Sequence, residues 1–248
     1  MDDAELLDVL DATVAAVRRS LDTIVDWRRP GERVGQYGLD LTADAAAVEV
    51  LTGAGLGVLS EESGRHHPER AVYAVVDPVD GSSNASRGIP WFATSLAVVD
   101  SEGLRAAVVV NQSTGVRYSA TRGGGAFRDG VPIAVSTVIE LDDAFLAMNG
   151  WCPEHLGWRQ YRALGAAALD LCLVAEGAID GYLDCADSNH GPWDYLGGML
   201  VLLEAGGIIT DLRSRPLVVD DHAARRAPVA AATPELHAAL VSAEQGMG

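Results

Sequence analysis

The stretch Val75-Val76-Asp77-Pro78-Val79-Asp80-Gly81-Ser82-Ser83-Asn84 runs an apolar strand into two carboxylates three residues apart. Pro78 fixes φ between them, which favours a defined turn. Gly81 lets the backbone come close to a ligand, and Ser82 and Ser83 suit the start of a helix. Paired carboxylates beside free backbone N–H groups suit a cation held next to a phosphate. Two more segments bring acids to the ends of elements. Leu56-Gly57-Val58-Leu59-Ser60 is a strand that empties into Glu61-Glu62, and Pro192-Trp193-Asp194 opens a helix with Leu196, Met199, Leu200 and Leu203 on its apolar face. Asp44, in Asp40-Leu41-Thr42-Ala43-Asp44, falls where a second helix is expected to begin. Taken singly, each acid also suits a helix cap or an acidic turn.

Composition narrows the chemistry. The formal charge of -17 argues against a nucleic-acid partner, whose phosphates call for dense positive charge. All 18 basic residues are Arg, which removes mechanisms built on a lysine, such as a P-loop or a Schiff base. An acidic chain that handles an anionic phosphate needs cations from elsewhere, and bound metal is the simplest source. The same acidity also fits a purely solubilising role. No stretch approaches the roughly 18 uninterrupted apolar residues of a membrane span. Met1-Asp2-Asp3 is acidic where a secretory signal would be basic. Cys152, Cys172 and Cys185 contain no Cys-x-x-Cys pair and read as buried thiols in a reducing compartment, so the cytoplasm is expected.

The elements that must position these acids follow from periodicity. Leu6, Leu7, Leu10, Val14, Val17, Leu21 and Ile24 define an amphipathic helix over 4–25. Strand-length apolar runs occupy 56–60, 71–77, 93–99, 104–111 and 116–120. Asp129-Gly130 suits a two-residue hairpin turn, and Gly123-Gly124-Gly125, among strands with no helix after it, reads as a turn and not a nucleotide loop. Beyond about residue 140 strands alternate with helices: a helix over 166–176, a strand over 179–184, a helix over 194–205 ended by Gly206-Gly207, and a helix started by Thr233-Pro234-Glu235. The expected division is an α+β half over 1–140, carrying most metal ligands, and an α/β half over 141–248, carrying Asp194 and substrate contacts. Gly197-Gly198 inside a helix hints at close packing. Trp91-Phe92 reads as core at the second domain's edge, His66-His67 as a solvated turn, and His190 as loop.

In this order the motifs resemble the inositol monophosphatase family, a group of Mg²⁺-dependent, lithium-sensitive phosphatases. They stand here as Ser60-Glu61-Glu62, Asp77-Pro78-Val79-Asp80-Gly81-Ser82, and Trp193-Asp194 with Glu204-Ala205-Gly206-Gly207. The resemblance implies an α/β (α+β layered) fold of alternating α-β-α-β-α layers, with the site between the halves, in a homodimer. It implies two or three Mg²⁺ ions: Glu61, Asp77 and the Val79 carbonyl on one, and Asp77, Asp80 and Asp194 on a second. Glu61 with Ser82 would orient the attacking water, and Asp44 would support that water or a third ion. Gly81, Ser82 and Ser83 would contact the phosphate or substrate. Asp184, with Asp187 as runner-up, would accept a substrate hydroxyl.

The pattern departs from the family in places. Ser82 replaces a Thr, Ser60 a Gly and Ala166 a Ser; a Lys before the first Asp is missing; Asp184 to Asn189 is longer than usual. The implied activity is hydrolysis of inositol 1-phosphate or a related polyol or sugar phosphate, a small-molecule ester. Fructose 1,6-bisphosphate and histidinol phosphate are rivals within the same chemistry. A non-catalytic metal-binding paralogue is the reading of another class.

Overall fold

The computed structural model describes residues 1–245 other than 34, 187 and 188. Its larger sheet has eight strands: β1 (Gly57–Ser60), β2 (Gly64–His66), β3 (Tyr73–Asp80), β4 (Ala93–Asp100), β5 (Gly103–Asn111), β6 (Arg117–Thr121), β7 (Gly125–Arg128) and β8 (Val131–Pro132). Their order is β2-β1-β3-β4-β5-β6-β7-β8. Only β1 and β3 run parallel; from β3 onward the chain is an antiparallel meander.

Alternation along each strand sorts the core by face, because successive side chains point to opposite sides. Val58, Ala74, Val76, Val98 and Val108 pack on one side against α1 (Asp3–Leu21) and α2 (Gly38–Gly53). Leu59, Val75, Ala97, Val99 and Val109 face the other side. After the short α3 (Ser82–Arg87), α4 (Ala167–Ala175) and α5 (Pro192–Glu204) cover that second side. Beyond them lies a five-stranded sheet of β9 (Phe145–Asn149), β10 (Gln160–Arg162), β11 (Gly181–Asp184), β12 (Ile208–Asp211) and β13 (Pro228–Ala231), ordered β10-β9-β11-β13-β12. Its outer face, with Leu146, Leu183 and Val229, packs on α6 (Pro234–Gln245) through Leu236 and Leu240. The result is the expected α-β-α-β-α layering.

Several local expectations hold. Asp129 and Gly130 have φ of 50° and 79°, the left-handed pair that a two-residue hairpin needs. The Gly123–Gly125 segment is a turn, held by Glu204, whose carboxylate accepts from the N–H groups of Gly123 at 2.8 Å and Gly125 at 3.0 Å. Thr233 caps α6 by accepting from Leu236 N–H at 3.3 Å.

Others need correction. α1 ends at Leu21 and not near 25, because the Thr23 and Ile24 amides turn back to carbonyls three residues earlier and tighten the chain. α2 begins six residues before Asp44, since Asp40 in its first turn already accepts from Tyr37 N–H at 2.8 Å. His66 belongs to β2. Phe92 is buried in the α1–α2 core of the first sheet, while Trp91 turns to the opposite side. Of the three cysteines only Cys172 is buried; Cys152 and Cys185 are half-buried.

The adjacent glycines of α5 are where it closes on its neighbours. A Cβ at Gly197 would lie 2.5 Å from Ser95 Oγ, and one at Gly198 would lie 2.7 Å from Ala168 O and 2.8 Å from Leu171 Cβ. In an open helix Gly→Ala gains about 1 kcal/mol. At Gly198 overpacking wins, at a cost of about 1–3 kcal/mol. Gly198→Ala is therefore expected to lower the melting temperature by about 2–8 °C in a thermal melt. An unchanged or higher Tm would contradict this packing.

Candidate metal centre

The acids converge because of one parallel strand pair and one bulge. β1 and β3 lie in register with Ser60 opposite Val76, so Glu61 and Asp77 leave neighbouring strand ends together. Glu61 N–H donates to Val76 O at 3.1 Å and holds that step. In a regular strand Asp77 and Asp80, three residues apart, would point to opposite faces. The register shifts between the Asp77–Ser95 and Asp80–Ala93 pairs, and the extra residue turns both acids to the α4–α5 side.

Pro78 suits the bulge because it has no N–H to leave unpaired. Val79 N–H donates to Asp77 Oδ1 at 2.9 Å, and Thr94 Oγ1 donates to Pro78 O at 2.8 Å. Gln112 Nε2 in turn donates to Thr94 Oγ1 at 2.8 Å. The Val79 side chain goes into the opposite core, against the α1–α2 layer.

α5 completes the cluster from across the sheet. Asp194 stands in its first turn and accepts from Gly191 N–H at 2.7 Å, where the helix dipole favours an anion. Carboxylate oxygens of Glu61, Asp77 and Asp194 all lie within 4.8 Å of one another. Asp80 flanks them, with Oδ2 accepting from Ala168 N–H at 2.7 Å. Burial raises the Glu61 carboxyl well above its ordinary range, and the charges of Asp194 and Glu62 add to it. Burial also raises Asp77, with Glu61 and Asp80 as like charges, and Asp80, with Asp194. Clustered hard oxygen donors are the donor chemistry of Mg²⁺ or a similar ion, so the residues present fit one.

The remaining expected site residues divide. Gly81 caps α3 at φ 83°, and a Cβ there would come 2.9 Å from Gly165 O, so only glycine fits. Ser82 opens α3 half-buried, whereas Ser83 is exposed, its hydroxyl beside the Tyr37 phenol. Asp184 is buried at the end of β11, where Asn149 Nδ2 donates to its Oδ1 at 2.9 Å. Among the described residues its buried Oδ2 has no hydrogen-bond partner. Asp187 lies outside the described residues.

Asp44 has a partner inside the fold. It sits in the second turn of α2 and accepts from the Ser60 hydroxyl, the group that replaces the family's usual glycine. Asp40, one turn earlier, is the acid that faces the cluster. Its charge acts on Glu61, and the Ser82 hydroxyl lies close enough to favour its ionised form. Burial nevertheless pushes its carboxyl up to about 7. The signal was the four-residue spacing, which puts Asp40 and Asp44 on one helix face. His190 lies in the connection between β11 and α5, as expected, but is buried there, with Nδ1 3.4 Å from Asp194 Oδ2.

These raised carboxyls set a pH dependence. A group whose pKa is higher in the fold gives stability that is complete below its unfolded pKa and is lost as pH rises toward the folded one; for Asp40 that window runs from 3.8 to about 7. The metal-free protein is expected to melt at a lower temperature near pH 8 than near pH 5, and Mg²⁺ to raise Tm more at the higher pH, where it does not compete with protons. Melting that rises with pH in chelator would contradict this.

The chain is similar to known proteins in sequence and in fold. The sequence profile of the inositol monophosphatase family matches residues 40–246. A fructose-1,6-bisphosphatase/inositol-1-monophosphatase of Methanothermobacter thermautotrophicus is 32% identical over 255 aligned positions, covering 89% of this chain and 90% of that protein. A putative Nus factor SuhB of Neisseria meningitidis is 35% identical over 170, covering 62% of this chain and 64% of the relative, so the match spans a little under two thirds of that protein. The solved inositol monophosphatase of Anabaena superposes with a TM-score of 0.81 at 25% identity, over 98% of this chain and 96% of that one. With the sequence profile matched across most of its length and the fold shared almost end to end, the chain belongs to the inositol monophosphatase family.

Proposed function

We propose that this chain is a Mg²⁺-dependent phosphomonoesterase that hydrolyses inositol 1-phosphate or a related polyol or sugar phosphate. The observation that carries the reading is the meeting of Glu61, Asp77 and Asp194 beside the first turn of α3. The half to about residue 140 supplies Glu61, Asp77, the Val79 carbonyl and Asp80; the half from 141 supplies Asp194 and Asp184. Two or three Mg²⁺ ions in that cage supply the positive charge that offsets the phosphoryl and leaving oxygens, a task no lysine of this chain can take.

The chain's own groups do the rest. The N–H groups of the α3 N-cap Gly81 and of Ser82, which have no partners within a helix, would donate to a phosphate oxygen. Glu61, Asp40 and the Ser82 hydroxyl orient the attacking water, and the Asp40 carboxylate, poised near neutrality, takes its proton. The water oxygen bonds to phosphorus as the ester P–O bond breaks, the leaving alkoxide takes a proton from solvent water, and Asp40 afterwards releases its proton to solvent. Asp184 Oδ2 accepts a hydroxyl of the leaving polyol.

The name of the Methanothermobacter relative joins two substrates, so fructose 1,6-bisphosphate stands beside inositol 1-phosphate, with histidinol phosphate as a third. The Neisseria relative's name states no phosphatase activity and supports a second reading, a metal-binding protein without turnover. We place the chain in the cytoplasm on its cysteine usage, and as a homodimer following the resemblance. Among the described residues no helix is long and apolar enough to cross a membrane.

A phosphate-release screen with Mg²⁺ over sugar, polyol, amino-alcohol and nucleotide monophosphates separates these readings. Turnover of one or more polyol or sugar phosphates is expected, and turnover of none, with metal-dependent melting, would leave the second reading. Asp194→Asn is expected to cut phosphate release about 10²-fold or more while the chain stays folded. Asp40→Asn should lower kcat far more than Asp44→Asn. The reverse order would return the water to Asp44.

A further inference from the structure

The His190 side chain is 10% exposed and lies near four polar groups. Tyr182 Oη lies 2.7 Å and Asn149 Nδ2 3.2 Å from its Nε2; Asp184 Oδ1 is 3.9 Å from Nε2, and Asp194 Oδ2 is 3.4 Å from Nδ1. Its backbone is fixed as well, by a bridge in which His190 N–H donates to Arg226 O at 3.2 Å and Arg226 N–H returns to His190 O at 2.8 Å.

Hydrogen-bond chemistry assigns the ring's proton. Asn149 Nδ2 donates to Asp184 Oδ1 at 2.9 Å, and a carboxylate only accepts, so the amide nitrogen is the atom on that side. The same NH₂ faces His190 Nε2, and an amide nitrogen only donates. In the neutral ring Nε2 is therefore the accepting nitrogen, its single lone pair taken by the Tyr182 hydroxyl at 2.7 Å with the Asn149 amide alongside at 3.2 Å. The proton of that ring sits on Nδ1, whose distance to Asp194 Oδ2 is 3.4 Å.

We propose that His190 is a positioning residue for Asp194: its Nδ1–H steadies the carboxylate that the proposed function places on a metal ion. The chain of bonds starts at Asp184 and Asn149, paired across β11 and β9, so the ends of the second sheet hold a ligand used by the first. The inference rests on the metal-binding reading of Asp194. Groups behind a metal ligand that fix its orientation change metal affinity about 10–100-fold when removed.

The test is Mg²⁺ binding by isothermal titration calorimetry on the full chain, without substrate. An Asn amide nitrogen stands where Nδ1 does, and a Gln amide nitrogen where Nε2 does. His190→Asn is expected to bind near the parental affinity, and His190→Gln about 10-fold more weakly. Long-range ¹H–¹⁵N spectra of the Mg²⁺-loaded parent should show the Nδ1-protonated tautomer. If His190→Gln does not fold, the tautomer and the His190→Asn affinity still decide. An Nε2-protonated ring, a weakened His190→Asn, or a folded His190→Gln that binds as the parent does would overturn the proposal. A parent that binds no Mg²⁺ would overturn both it and the metal reading.

Discussion

Buried carboxylates repel one another, and every layer of this protein helps to hold several of them together. Glu61, Asp77 and Asp80 are each pushed toward the protonated state by burial and by like-charged neighbours. A fold optimised only for stability would separate such groups or replace them with apolar ones. Their retention makes sense if a cation neutralises them, so the site is incomplete without its ion.

The scaffold meets that repulsion with local devices. The parallel β1–β3 pair sets Glu61 beside Asp77, and the bulge at Pro78-Val79 turns Asp80 to the same face. The threonine and glutamine behind Pro78 keep the bulge from relaxing. α5 brings Asp194 in from the other side, and its approach depends on two glycines that leave no room for a methyl group. Glu204, at the far end of the same helix, ties it to the Gly123–Gly125 turn. The acidic motifs and the Glu-Ala-Gly-Gly motif thus act at opposite ends of one helix.

Much of this could be read before any coordinates. Short apolar runs mark β4, β5 and β6, and the valines of β4 and β5 leave little ambiguity there. The motif acids Glu61, Asp77, Asp80 and Asp194 were named from spacing and resemblance, and the fold brings them together. β12 and β13 were missed: they are four residues each, and Pro228-Val229-Ala230-Ala231 has only one strongly strand-forming residue. Asp40 was passed over for Asp44 because a helix start was inferred from the second acid, whereas the chain turns helical at Gly38. His190 is in a loop as expected, but its partners were missed because Tyr182, Asn149 and Asp194 come from three different elements. Contacts of that kind leave no periodic trace in a sequence.

The central claim is that acids from distant stretches share divalent cations in the folded chain. Crystals grown with Mn²⁺ and measured at the manganese absorption edge test it directly. The account predicts anomalous peaks among the carboxylates of Glu61, Asp77 and Asp194, with Asp80 on one of them. Bound manganese elsewhere on the surface, with those four side chains free of it, would contradict it.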